Sequence, residues 1–173
     1  MIVGIGCDLC AIARMEKIMQ KPNAAHFLRR VFAPQELALL GIAPCAGADA
    51  AQTASSLQTE PAPQLLSSSR QTDDLPCAVC EGNFSTVGAK VVESLAANFA
   101  AKEAFLKATG TGLAGFSLAD IAALRHPNGA PYYQFTGSAA AYMAEHGYTA
   151  HLSLSHEKGA AGMAMAYCVL EQR

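Results

Sequence analysis

The feature that most constrains the fold is the segment at residues 99–110, which reads FAAKEAFLKATG. Alanine and leucine favour an α-helix, and the final glycine is well suited to end one. Charge is confined to Lys102, Glu103 and Lys107. Glu103 and Lys107 lie four positions apart and therefore share a helix face, with Phe99 one turn before Glu103. The segment predicts the last turns of an apolar helix that presents a carboxylate beside an ammonium group.

An ordinary ion pair on a solvated helix is the simplest alternative. A Glu–Lys pair at this spacing stabilises a helix by only about 0.2–0.5 kcal/mol, and many surface pairs contribute nothing measurable. Residues elsewhere in the chain must therefore decide whether this face has a function.

Composition limits the class of protein. The 173 residues suit one domain, and a hydrophobic content of 51% is enough for a core and a subunit contact. The net charge of −2 gives no overall field for nucleic acid. No basic leader precedes the apolar N-terminus, and no apolar run approaches the ~20 residues that span a bilayer. We expect a cytoplasmic protein with neither a nucleic-acid nor a membrane partner.

Six cysteines include two C-x-x-C pairs, Cys7/Cys10 and Cys77/Cys80. Zinc ribbons usually separate such pairs by ~15–20 residues, whereas residues 11–76 intervene here. The first pair also spans a predicted strand end, where the two thiols need not converge. Reduced thiols are expected in the cytoplasm. A zinc-binding protein remains an alternative that the absence of stoichiometric zinc would exclude.

Hydrophobic periodicity predicts the other elements. A buried strand at residues 2–7 is followed by Asp8. The final strand carries small or apolar residues on both faces, which implies a central position or an oligomer contact. Asn23 is a candidate N-cap, and Asn128-Gly129 favours a type I′ hairpin. Helices are expected at residues 12–19, 24–31, 34–40, from 91 or 93 to 109, and 138–146, a helical turn at 117–120, and strands at 121–125, 131–135, 149–155 and 161–170.

Residues 41–92 differ in composition from the rest of the chain. They are rich in alanine, serine, glutamine, proline and threonine and contain almost no aromatic residues. This composition predicts a flexible insertion in a single domain of residues 1–173. A surface appendage is favoured over a gate for the site.

Three separated stretches carry chemically useful groups. Asp8 follows Gly4-Ile-Gly-Cys at a strand end, the long helix presents Glu103 and Lys107, and another strand ends in Ser153, Ser155 and His156. Two carboxylates suit Mg²⁺ held over a pyrophosphate, because Mg²⁺ uses few protein oxygens together with substrate phosphates. Separately, Asp8 could merely cap a helix, His156 could bind a backbone carbonyl, and the serines could be ordinary strand residues.

These stretches, in this order, closely resemble the holo-[acyl-carrier-protein] synthase family of small phosphopantetheinyl transferases. The family pattern is G-I-G-x-D, then F-A-x-K-E-A-x-x-K-A-x-G, then S-x-S-H at the end of a strand. The Asn-Gly-x-Pro turn at residues 128–131 is also similar. The resemblance covers residues 1–40 and 93–171 and implies an α+β fold, with an antiparallel sheet packed against one long and several short helices.

The resemblance implies transfer of 4′-phosphopantetheine from coenzyme A to a serine of an apo acyl carrier protein, releasing adenosine 3′,5′-bisphosphate. Asp8 and Glu103 would bind Mg²⁺, and a metal-bound water held by Glu103 is one candidate base. Lys107 would stabilise phosphate charge and, with Ser153, Ser155 and His156, contact the CoA phosphates. Family members form trimers with active sites at subunit interfaces, so Asp8 and His156 could act across chains.

A basic patch near the N-terminus fits an acidic carrier protein or a phosphate ligand. A solvated helix face is its alternative explanation. Arg14 most closely matches the family's carrier-protein contact. The patch consists of Arg14, Lys17, Lys21, Arg29 and Arg30.

Two features depart from the family pattern. Asn98 stands where the family commonly has a basic residue, so one phosphate contact is missing or supplied elsewhere. The insertion at residues 41–92 is also unusual. These features leave open a non-catalytic carrier-protein- or nucleotide-binding module, which would bind the carrier protein without yielding a holo product.

Overall fold

A computed structural model describes residues 1–42, 87–112, 115–157 and 162–172. Most of the predicted insertion, including Cys77 and Cys80, lies outside these residues, as does the tip of the last hairpin. The single-domain organisation therefore stays a prediction. Within the described ranges, no helix is long and apolar enough to cross a membrane.

The described chain contains five strands and five α-helices, and the α+β class is confirmed. In chain order they are β1 (Ile2–Ala11), α1 (Ile12–Met19), α2 (Ala24–Val31), α3 (Pro34–Leu39), α4 (Ala89–Thr109), β2 (Ile121–Arg125), β3 (Pro131–Phe135), α5 (Gly137–His146), β4 (Tyr148–Glu157) and β5 (Met163–Gln172). A 3₁₀ turn at Leu118–Asp120 precedes β2.

The main sheet is antiparallel with the order β1-β5-β4. Its central strand is β5, as the apolar pattern of both its faces predicts. Ala164, Ala166, Cys168 and Leu170 are buried beneath α4. On the opposite side, which we call the open sheet face, Ile5, Leu9, Met165 and Tyr167 remain exposed. The sheet is therefore apolar on a face that the single chain does not cover.

Helix α4 packs against β1 at unusually short range because β1 has glycines where they meet. A Cβ on Gly4 or Gly6 would collide with the backbone oxygens of Ala108 and Ala104, respectively. Alanine-rich turns of α4 are fully buried at this contact. The glycines therefore set the distance between β1 and the helix that carries Glu103 and Lys107.

A buried ion pair fixes α4 against α3 and β2. Lys102 Nζ lies 2.6 Å from Glu36 Oε2 and also donates to the carbonyl oxygens of Leu118 and Ile121. Glu36 also accepts hydrogen bonds from the backbone N–H groups of Ala33 and Ala123. Both ionic side chains have no exposed surface. Because several bonds converge on Lys102, the rotation of α4 about its own axis is constrained.

Three local predictions are wrong, namely the Asn23 cap, the end of the first strand at residue 7 and the type I′ turn, and the alternative role of Asp8 as a helix cap is excluded. Asn23 makes no side-chain cap at α2, and Asp8 lies inside β1 rather than capping α1, whose N-cap is Ala11. The β2–β3 hairpin has a three-residue loop instead of a two-residue type I′ turn. His126 N–H bonds to the oxygen of Ala130, and Gly129 adopts a left-handed φ of 85°. A glycine in that conformation is typical of longer hairpin loops with a bulge.

Candidate functional site

Asp8 and Lys107 meet where β1 crosses the last turns of α4. Lys107 Nζ lies 2.7 Å from Asp8 Oδ1 and also donates to the backbone oxygen of Cys7 at 2.9 Å. The Asp8 side chain is 16% exposed and that of Lys107 is 53% exposed. The hydrogen bond to Asp8 raises the pKa of Lys107. The lysine therefore pairs with Asp8 across elements and not with Glu103 along the helix.

Glu103 lies beside this pair and completes what we call the carboxylate site. Partial burial raises the pKa of Glu103 first, and the nearby charge of Asp8 raises it further. Lys107 and Arg14 oppose that shift. No hydrogen bond reaches the Glu103 carboxylate from any described part of the chain. Two like charges are thus held close together, with one of them open to a cation.

The donor set of the carboxylate site fits Mg²⁺. Asp8 and Glu103 supply two carboxylates, and no group of three or more His, Cys, Asp or Glu side chains suited to a metal occurs in the described ranges. Mg²⁺ is usually held by one or two carboxylates plus substrate phosphates and waters. The site therefore suits a metal that binds together with a phosphorylated substrate. Among the cysteines, Cys7 and Cys10 occupy alternating positions of β1, so their thiols point to opposite faces.

Lys102 belongs to the buried ion pair with Glu36 and not to the carboxylate site. Burial lowers the pKa of Lys102, and Glu36 opposes this shift. Its neighbour Glu103 lies about 100° further around the helix, on the side that interacts with Asp8 of β1. This arrangement agrees with the prediction that Lys102 lies off the functional helix face.

The five residues of the basic patch are all exposed on α1, α2 and the α1–α2 connection. The guanidinium carbon of Arg14 lies 5.9 Å from the centre of the Phe99 ring. Arg14 also acts electrostatically on Glu103. Of the five, Arg14 is therefore the one that connects the patch with the carboxylate site. The patch consists of Arg14, Lys17, Lys21, Arg29 and Arg30.

His156 and Ser155 line an open cavity of about 440 Å³ between α4, β4 and the β2–β3 hairpin. We call this cavity the α4–β4 pocket. His156 Nε2 lies 3.7 Å from Glu93 Oε2. The lining combines charged and polar side chains with a few apolar ones. The lining residues are Lys90, Glu93, Ser94, Ala97, Arg125, Gly129, Pro131, Leu154, Ser155 and His156.

Ser153 is not brought to the pocket in the single chain. It is exposed on β4 opposite Tyr167 of β5, and so lies on the open sheet face. The pocket and the carboxylate site are also separate. Glu93 and Glu103 stand ten residues apart on α4, which corresponds to about 15 Å along the helix axis. The predicted site residues therefore form two half-sites in one chain.

Sequence reasoning missed two cations of the pocket, Lys90 and Arg125. Arg125 Nη2 donates to Asn98 Oδ1 at 3.0 Å, and its Nη1 donates to the oxygen of Leu124 at 3.1 Å. The sequence contained a usable signal, because Arg125 is the charged end of an otherwise apolar strand and lies three residues before Asn128 of the Asn-Gly turn. Asn98, predicted only as a departure from the family pattern, is the side chain that holds it.

The chain is similar in sequence to known proteins. The model of the 4′-phosphopantetheinyl transferase superfamily matches residues 4–168. The holo-[acyl-carrier-protein] synthase of Trichlorobacter lovleyi is 32% identical over 173 residues, covering 99% of this chain and 98% of the relative. The corresponding protein of Myxococcus xanthus is 30% identical over 172 residues, covering 99% of this chain and 97% of the relative.

Solved structures show the same fold. A holo-(acyl-carrier-protein) synthase from Bacillus anthracis in complex with CoA (3′,5′-ADP) has a TM-score of 0.61 at 24% identity, covering all of this chain and 99% of that one. The Helicobacter pylori synthase in complex with coenzyme A has a TM-score of 0.58 at 24% identity, with coverages of 96% and 99%. The chain therefore belongs to the 4′-phosphopantetheinyl transferase superfamily and, within it, to the holo-[acyl-carrier-protein] synthases.

Proposed function

We propose that this chain is a Mg²⁺-dependent transferase that moves 4′-phosphopantetheine from coenzyme A to a serine of an apo acyl carrier protein. The observation that carries the proposal is the meeting of Asp8, Glu103 and Lys107 where β1 crosses α4. The serine oxygen forms a bond to the phosphorus that bears the pantetheine. The bond between that phosphorus and the bridging pyrophosphate oxygen breaks, and adenosine 3′,5′-bisphosphate leaves.

Each residue of the carboxylate site then has a role. Asp8 and Glu103 would hold Mg²⁺, which supplies charge stabilisation at the phosphates. Lys107 can shift from Asp8 to a phosphate oxygen, because it is half exposed and carries a flexible stem. The serine proton must be accepted by a base, and Glu103 is the carboxylate of this site that has no hydrogen-bond donor in the described ranges and is therefore the candidate for that role.

We infer that the complete site forms between chains of a homotrimer. The carboxylate site and the α4–β4 pocket are separate in one chain, while Ile5 and Leu9 of the open sheet face are 60% and 57% exposed. A second chain that covers this face would bury apolar surface and would place its α4–β4 pocket beside a neighbour's carboxylate site. Ser153, Ser155 and His156 would then contact CoA phosphates.

The basic patch completes the proposal by docking the acidic carrier protein. The patch is exposed on α1 and α2, and its member Arg14 acts electrostatically on Glu103 of the carboxylate site. Charge complementarity of this kind accelerates encounter and sets orientation. A cytoplasmic location stays a prediction from the sequence.

The direct test combines the full chain with CoA, MgCl₂ and a purified apo acyl carrier protein, and measures the mass of the carrier protein. We expect conversion to the holo form, and loss of conversion when EDTA removes the metal. If the carrier protein binds but never gains the phosphopantetheine mass, a non-catalytic binding module is the better description.

The oligomer is tested by Leu9→Asp, which places a charge on the open sheet face. We expect a smaller particle in sedimentation and loss of transfer. Leu39→Asp is the matched control, because Leu39 is 70% exposed on α3 and away from that face. A fully active Leu9→Asp monomer would contradict a site shared between chains.

A further inference from the structure

The α4–β4 pocket contains a guanidinium without a carboxylate partner. Arg125 forms no salt bridge with any residue in the described ranges, and its hydrogen-bond acceptors are the neutral oxygens of Asn98, Ala123 and Leu124. Glu36 acts on it electrostatically, but that carboxylate is already bonded to Lys102. Arg125 is therefore an exposed cation of the pocket lining that no carboxylate of the described ranges binds directly.

Its orientation is nevertheless fixed. Asn98 is 4% exposed, and its Oδ1 accepts a hydrogen bond from Arg125 Nη2 at 3.0 Å. A guanidinium has five N–H donors, and three acceptors occupy at most three of them. The remaining donors are available to a ligand in the pocket. An oriented fork of this kind is well matched to phosphate oxygens.

The rest of the pocket favours an anion attached to an apolar or heterocyclic group. Lys90 adds a second exposed cation, and Glu93 is the one carboxylate of the lining, 3.7 Å from His156. Ala97, Pro131 and Leu154 provide apolar surface, and Gly129 has no side chain that would fill the pocket. The volume of about 440 Å³ lies in the range of small-molecule sites.

Coenzyme A carries phosphate in two places, the reacting pyrophosphate and the ribose 3′-phosphate. On the proposed function, which this inference rests on, the pyrophosphate must lie beside the metal ligands Asp8 and Glu103. Arg125 lies in the other half-site, and its hydrogen-bond acceptors are all neutral. It is therefore suited to bind the phosphate that does not react. We propose that Arg125, positioned by Asn98, is the residue that recognises the ribose 3′-phosphate and makes the enzyme select CoA over 3′-dephospho-CoA.

The test compares both donors in the transfer assay with Arg125→Gln. We expect the KM for CoA to rise roughly tenfold or more, as for loss of charge-assisted hydrogen bonds. The KM for 3′-dephospho-CoA and both kcat values should stay unchanged. Arg125→Lys should recover part of the discrimination, because it keeps the charge but not the fork. His126→Gln, a change of the adjacent exposed residue, should behave as wild type.

Asn98→Leu tests the positioning role of Asn98. We expect the preference for CoA over 3′-dephospho-CoA to fall, but by less than in Arg125→Gln. Calorimetric titration with adenosine 3′,5′-bisphosphate and with AMP gives a readout independent of transfer. In Arg125→Gln, only the binding of the bisphosphate should become weaker. If Arg125→Gln weakens both donors equally, the guanidinium serves the pyrophosphate or the fold, and the inference is wrong. A wild-type chain that transfers from neither donor would instead overturn the proposed function.

Discussion

The two half-sites of this molecule are built in different ways. The carboxylate site places Asp8, Glu103 and Lys107 on one strand and one helix, which glycines hold at backbone contact. The α4–β4 pocket collects Lys90, Arg125 and His156 from three elements around open space. The carboxylate site tolerates little displacement of its side chains, because Lys107 and Asp8 are already in contact. The α4–β4 pocket can accommodate a cation from a different element of the fold, provided that its charge lies at the same place in the pocket.

Asn98 and Arg125 illustrate this difference. Asn98 stands where the family resemblance leads us to expect a basic residue, and the guanidinium that contacts it, from Arg125, comes from β2. No comparable exchange is present in the carboxylate site, where the family pattern is complete. On the proposed function, the carboxylate site meets the reacting phosphate, whereas the α4–β4 pocket binds the remainder of the substrate.

The largest effect is expected for Glu103→Gln in the carboxylate site. Loss of a metal ligand and proton acceptor should lower kcat by roughly 10²–10⁴-fold, with unchanged circular dichroism and melting temperature. Glu145→Gln on α5 is the matched control, since that exposed residue lies outside both half-sites. Near wild-type transfer by Glu103→Gln would remove Glu103 from the metal site and from the reaction.

The second-largest effect is expected for the buried ion pair between Lys102 and Glu36, which holds the helix of the carboxylate site in place. Lys102→Met keeps the length of the side chain but leaves Glu36 buried with an unpaired charge. Removing one partner of a buried ion pair typically costs about 3–5 kcal/mol, so denaturant unfolding should show a loss of this size. Lys102→Met/Glu36→Gln should regain part of it. A double variant no more stable than the single one would mean that packing, not charge, dominates.

His156→Gln is expected to act on binding more than on chemistry. Because His156 lines the pocket and not the carboxylate site, the KM for CoA should rise roughly tenfold, as when a charge-assisted contact is lost, with little change in kcat. His151→Gln is the matched control, since His151 is exposed on the same strand and pairs with Glu171. A fall in kcat at unchanged KM would instead place His156 at the reacting phosphate.

The sequence predicts some elements well and others poorly, for physical reasons. Helices α1 and α2 and strands β2 and β3 have their predicted bounds, because apolar periodicity and prolines define them locally. The hairpin loop at residues 127–129 was missed because strand pairing overrode the preference of Asn-Gly for a tight turn.

The site was likewise predicted in part. The motif residues Asp8, Glu103 and Lys107 could be proposed from their spacing and family resemblance, but the pairing of Lys107 with Asp8 depends on how β1 crosses α4. The contact between Asn98 and Arg125 joins residues 27 positions apart. No local pattern encodes such a contact, since it arises from tertiary packing alone.

The smallest expected effect is a pKa change at the carboxylate site. Burial and the charge of Asp8 both raise the pKa of Glu103. Asp8→Asn removes the second cause, and Lys107, freed from Asp8, then favours the ionised Glu103 more strongly. The pKa of Glu103 should therefore fall, and the ionised form should persist to lower pH than in the wild type.

Carbon-13 NMR titration of the metal-free protein, with Glu103→Gln used to assign the resonance, measures this shift directly. Asp120→Asn is the control, because Asp120 bonds to Thr136 and Ser138 at a distance from α4's last turns. An unchanged pKa in Asp8→Asn would mean that burial alone sets the titration of Glu103. The two carboxylates would then not be close enough to share a metal ion, and the difference between the two half-sites would lose its electrostatic basis.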